Sequence, residues 1–198
     1  MRPRPLTVVI AAAIAVAVGG ALFSSRPALV IGSLIALLVL AGHPSLSAVP
    51  RLTRLLLRTG LAGLAAAVVV TVSRSIATDP WTVDDLRNLW QRPLALAILQ
   101  AAAGICFGVA VARAPRERLR GQGPALLAVV GLLALAAGAM NEAQTAWRNR
   151  PDFDDTAFLA VAVRTTGPAL DLGGALTIGT LLIGATLTVL ASARLSLP

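Results

Sequence analysis

Near the C-terminus the chain reads "AVAVRTTGPALDLGGALTIG", residues 160–179, where Arg164 and Asp171 interrupt an otherwise apolar stretch. A charge inside a bilayer is costly and normally faces protein or water with a partner, so this pair is the first candidate site. Its chemistry would be an intramembrane ion pair or a hold on a charged solute. On one unbroken helix the two residues share a face but lie about 10 Å apart along the axis, too far for contact. Pro168 argues for a helix start instead, with Gly167 as N-cap and Asp171 in the first turn. There the helix dipole favours a carboxylate by about 0.3–1 kcal/mol. Arg164 then closes the preceding segment near the headgroups. The capped junction is preferred to the buried pair.

Other constellations carry weaker chemistry. "DFDD" groups Asp152, Asp154 and Asp155, a set able to hold a divalent cation or a cationic solute, or simply to cap a helix. "PRLTRLLLR" spaces Arg51, Arg54 and Arg58 as a voltage-sensor helix does, but these residues stand where arginines snorkel to the headgroups, and the plainer reading is adopted. His43, before Pro44, offers a proton shuttle or a solvated helix end. Asn141 and Glu142 extend a helix beyond its apolar run, toward an outer vestibule or plain water. Small residues recur four apart at Gly32 and Ala36, at Gly104 and Gly108, and at Ala175 and Gly179, a spacing that lets helices approach closely.

The exclusions are firmer. One histidine cannot give a haem two histidine ligands or build a multi-histidine zinc site. One cysteine, Cys106, allows neither an intrachain disulfide nor a CxxC motif. The absence of lysine removes Schiff-base chemistry and the P-loop, and neither GxGxxG nor GxSxG occurs. No catalytic residue, metal or cofactor is assigned, and the reading leans away from an enzyme.

The elements that must position these residues follow from composition. Of 198 residues, 57% are hydrophobic and only 13% charged, against roughly a quarter charged in a soluble domain. Mean hydropathy is +0.81. Apolar runs long enough to cross hydrocarbon recur along the whole chain, which predicts a single all-α transmembrane domain, a polytopic helix bundle of about six spans. Their expected limits are 6–23, 28–42, 59–76, 93–112, 124–140 and 168–191, the fifth continuing as helix toward Trp147. The second is short for a crossing. The first resembles a signal peptide in its pattern, but further spans follow at once and it is read as retained.

Charge sets the orientation. With the N-terminus cytoplasmic, Arg2, Arg4, Arg51, Arg54, Arg58, Arg113, Arg116, Arg118, Arg120 and Arg194 lie inside, accompanied by the single acid Glu117. Trp81, Trp90 and Trp147 fall outside, as interfacial anchors would. Both termini are expected in the cytoplasm. The net charge of +8 is therefore assigned to anionic lipid at the cytoplasmic face and not to nucleic acid. In the outer loop, Thr82 and Asp85 have capping-box spacing, and Val83, Leu86, Leu89 and Trp90 share a face, so residues 82–91 are expected to form a short interfacial helix. The apolar run from Ala157 to Val163 is too short to span and reads as a re-entrant or packed insertion. Abundant arginine, alanine, glycine and proline without lysine or tyrosine match GC-rich codons, hence a bacterial inner membrane.

No family pattern extends across the chain. "ALDLGGALTIGTLL" resembles the DTLGE segment of the small membrane subunits of multi-subunit cation/proton antiporters, but Gly174 stands where that family has its glutamate. No function is carried across. The reading adopted is a non-catalytic integral subunit or assembly partner of a larger membrane complex, with other membrane subunits as partners. A transporter of small solutes or ions is the alternative, and a lipid-modifying membrane enzyme the third.

Overall fold

The computed structural model describes residues 5–23, 25–73, 90–115, 119, 122–148 and 172–196. These contain six α-helices, one short 3-10 turn and no strand: α1 (Pro5–Leu22), α2 (Arg26–Ala41), η1 (Pro44–Leu46), α3 (Arg51–Ser73), α4 (Gln91–Ala112), α5 (Gln122–Arg148) and α6 (Leu172–Ser196). The all-α expectation holds. Five helices are long and apolar enough to cross a membrane; α2 is the shorter one. Its sixteen residues reach about 24 Å at 1.5 Å per residue, short of a hydrocarbon core of about 30 Å. Only residues 90 and 91 of the expected interfacial helix are described, Trp90 as a turn and Gln91 as the first residue of α4. The insertion at 157–163 lies outside the described residues.

Local chemistry explains several helix ends. Pro27 occupies the first turn of α2, and Pro93 and Pro124 stand third in α4 and α5, where their missing N–H groups would have no intrahelical acceptor. Gly42 closes α2 with its N–H bonded back to Leu38 O at 3.0 Å. His43 then caps η1, its Nδ1 accepting from Ser45 N at 3.2 Å. The third helix begins eight residues before the expected span at 59, so Arg51, Arg54 and Arg58 stand on helix and not on loop. Leucine at 52, 55, 56 and 57 favours that extension, and the arginines cost a helix little.

Helix α6 is the central post. It packs most extensively on α5 and then α1, and it also touches α2, α3, α4 and η1. Buried residues make up 61% of its apolar window, far more than in any other spanning helix. Leu181, Leu182, Ala185, Thr188, Val189 and Ser192 are all almost fully buried. Around it, α1 pairs with α2, α3 with α4, and α4 with α5. Lipid tails are as apolar as leucine, so these pairs are held by close packing and not by expulsion of water. The outward faces carry large apolar side chains, including Leu38, Leu55, Ile105, Leu126, Leu133 and Leu176, each at least 60% exposed. A soluble monomer rarely shows such a surface; a bilayer requires one. The chain is a multi-pass, membrane-embedded helix bundle.

Glycine supplies the closest approaches. A Cβ on Gly32 of α2 would stand 2.6 Å from Ala17 N and 2.7 Å from Ala13 O of α1, and one on Gly20 would meet the backbone of Ala28 and Leu29. On the other side, Gly131 of α5 faces Gly184 of α6 so closely that a Cβ on either would come within 2.8 Å of the other's carbonyl oxygen. Gly60 of α3 receives the Phe107 ring of α4, which is fully buried.

Candidate functional site

Polar side chains buried in an apolar bundle need partners, so they locate a site better than surface charge does. In α4 one residue fits. Gln100 is the only strongly polar side chain between Pro93 and Ala112, and it is 3% exposed. It stands about 14 Å along the helix from Gln91, near the middle of a bilayer. Its Oε1 is buried and accepts no hydrogen bond.

Two other helices meet this amide. Gly138 of α5 lies against it: a Cβ there would be 3.1 Å from Gln100 Oε1 and 3.7 Å from Thr180 Oγ1 of α6. The missing side chain thus lets the amide and the hydroxyl converge from opposite helices. Thr180 Oγ1 donates to one of two carbonyls of its own helix, Leu176 O at 2.9 Å or Thr177 O at 3.0 Å, and keeps lone pairs for accepting. One turn outward, Asn141 Nδ2 of α5 donates to Thr177 Oγ1 of α6 at 3.2 Å, tying the two helices together through their side chains. Gln100, Asn141, Thr177 and Thr180 therefore form a polar track joining α4, α5 and α6. It runs from the α5–α6 interface toward mid-bilayer and offers both amide and hydroxyl donors and acceptors.

An unpaired amide oxygen in an apolar interior costs about 1–3 kcal/mol, and an apolar side chain of similar volume removes that cost. Gln100→Leu is accordingly expected to raise the melting temperature in detergent by a few degrees, roughly 2–4 °C per kcal/mol. A fall in melting temperature would show that Oε1 has a stabilising partner.

Among the residues singled out by sequence, Arg164, Asp171, Asp152, Asp154 and Asp155 lie outside the described residues. Gly179 is buried in ordinary contact with Val18 of α1, and Ala175, one turn away on α6, is also buried. Among the described residues Gly104 and Gly108 meet nothing: a Cβ at either position would have no described neighbour within 4 Å. They share a face of α4 with exposed Ala101 and Ala112, flanked by Ile98 and Ile105 at 59% and 67% exposure. Cys106 is half-buried, and the described residues hold no group of three or more potential metal ligands.

Sequence reasoning passed over Gln100, Thr177 and Thr180. The signal for Gln100 was present, since a lone amide mid-span is itself unusual. The threonines gave none, because a threonine bonded to its own helix carbonyl is ordinary in a span. No protein-family model, curated protein or solved structure matches the chain.

Proposed function

We propose that the chain is a non-catalytic integral subunit, or an assembly partner, of a larger complex in a bacterial inner membrane. The observation that carries this reading is the open glycine pair on α4. Glycine inside a helix costs about 1 kcal/mol relative to alanine, so two glycines one turn apart call for a compensating contact. Gly20, Gly32, Gly60, Gly131 and Gly184 have theirs among the described residues, while Gly104 and Gly108, like the single glycines Gly19 and Gly123, have none there. A small-xxx-small face flanked by isoleucines is suited to a second transmembrane helix lying against it. Lipid tails gain little from such a groove.

The orientation proposed with this function places both termini in the cytoplasm. Arg51, Arg54, Arg58, Arg113 and Arg194 stand at one end of the described helices; Trp90, Trp147, Arg92, Arg148 and Glu142 stand toward the other. That asymmetry follows the positive-inside rule and the interfacial preference of tryptophan. The partner would cross the same membrane beside α4, and anionic lipid would neutralise the arginine end. Purification in mild detergent followed by mass spectrometry of the intact assembly tests the proposal, which expects a second membrane chain in fixed ratio.

A second reading has one observation in its favour. The polar track of Gln100, Asn141, Thr177 and Thr180 is the kind of polar path along which a small solute or ion is handled in a transporter. Uptake by the purified chain alone in liposomes, lost in Gln100→Leu, would favour it over the accessory role.

A further inference from the structure

The arginine end of the α3–α4 pair carries a more specific feature than positive charge alone. Arg51, Arg54 and Arg58 occupy successive turns on one side of α3, the first and last exposed and Arg54 half-buried. Arg54 is held in place, its Nη2 donating to Val49 O at 3.1 Å. Its Nε is buried and has no acceptor. A charged donor so placed is incomplete without an anion or an oxygen ligand.

The packing register shows which end of the bundle these arginines share with α4. Gly60 faces Phe107, and Gly63 faces Leu99 and Ala103, so α3 and α4 run antiparallel. Stepping six residues back from Gly60 and six forward from Phe107 places Arg113, the exposed C-cap of α4, at the same height as Arg54, while Arg51, Arg54 and Arg58 lie on the side of α3 turned away from α4. Among the described residues the only carboxylate is Glu142, in the last third of α5 near the opposite end of the bundle. Nothing acidic in the described structure neutralises these four arginines.

Apolar side chains decide between a free anion and a lipid. Leu52 and Leu55 are 48% and 60% exposed and lie beside Arg51 and Arg58 on the α3 surface. A soluble phosphate has no use for them, whereas a phospholipid sets its phosphate among the arginines and its acyl chain along the leucines. We propose that Arg51, Arg54 and Arg58, with Leu52 and Leu55, form a binding site for the phosphate headgroup of an anionic phospholipid. The inference rests on the chain being membrane-embedded and does not depend on the proposed partner at α4. Loss of one would leave the other standing.

The test is lipid titration of the purified full chain in a neutral detergent, read as lipid-bound species by native mass spectrometry. Phosphatidylglycerol is expected to bind more tightly than phosphatidylcholine. A basic residue near the surface contributes about 1 kcal/mol, so Arg54→Gln should weaken phosphatidylglycerol about fivefold and R51Q/R58Q about thirtyfold. The exposed pair serves as the second variant should Arg54→Gln disturb the corner, and Arg194→Gln, on α6, should change nothing. Inorganic phosphate at millimolar concentration should not displace the lipid. Equal retention of the two lipids, or R51Q/R58Q binding phosphatidylglycerol as the wild type does, would overturn the proposal. Displacement by inorganic phosphate would overturn it too, identifying a free-anion site.

Discussion

Gly131→Leu is expected to separate α5 from α6 and destabilise the bundle by about 3 kcal/mol or more, the upper range for overpacking a close interface. The argument is geometric. A Cβ at residue 131 would meet Thr188 Oγ1, then Gly184 O at 2.7 Å and Thr188 N at 3.0 Å. Two of these three are backbone atoms of the central helix and cannot turn aside as a flexible side chain can. Thr188 Oγ1 is itself committed to Gly184 O at 2.8 Å, so moving it breaks a buried bond. Since α6 touches every other helix, displacing it disturbs the whole assembly. Thermal unfolding in detergent should show a midpoint lower by about 10 °C, or no folded protein at all. Gly123→Leu is the control, because that position meets nothing within 4 Å. A Gly131→Leu variant melting like wild type would mean that α5 and α6 do not approach as described.

The second large effect concerns association and not folding. G104I/G108I places two branched side chains on the face of α4 that meets nothing among the described residues. Melting of the isolated protein should change little, since glycine removal favours helix and no described neighbour is struck. Affinity for a partner helix seated on that face should fall about thirtyfold, the roughly 2 kcal/mol typical of a central contact residue. The two glycine experiments therefore move opposite quantities. Gly131 governs whether the bundle holds together, and Gly104 with Gly108 governs what it holds against. Asp171→Asn, outside the described residues, is a further probe and is expected to lower association with the partner.

The architecture was legible because membrane helices are written in long apolar runs. The runs at 6–23 and 93–112 correspond closely to α1 and α4, and the short run at 28–42 to the short helix α2. The start of α3 was not legible, because Arg51, Arg54 and Arg58 lower the hydropathy of residues that are nonetheless helical. Hydropathy measures preference for lipid, whereas helix formation follows backbone preference, and arginine is a good helix former. The position of α6 at the centre could not be read either. Its four threonines and two serines set it apart from α1, but its place is set by which faces the other helices present.

The site was the least legible part. Attention went to charges such as Arg164 and Asp171, because charge is conspicuous in apolar sequence. The track through Gln100 and Thr180 depends instead on Gly138, whose missing side chain matters only when three helices converge. Likewise the spacing of Gly104 and Gly108 is the same as that of many small pairs in alanine-rich spans. What distinguishes it is that two glycines one turn apart both stay open on one face among the described residues, whereas Gly20, Gly32, Gly60, Gly131 and Gly184 are filled.

The most direct test of the proposed role is intact-assembly mass spectrometry of the chain extracted from its own membrane in mild detergent, wild type beside G104I/G108I. The account predicts that the wild type carries a second membrane protein in fixed ratio, and that the double variant comes away alone with unchanged melting. A wild-type chain that emerges alone, or a double variant that keeps the same companion, would contradict it.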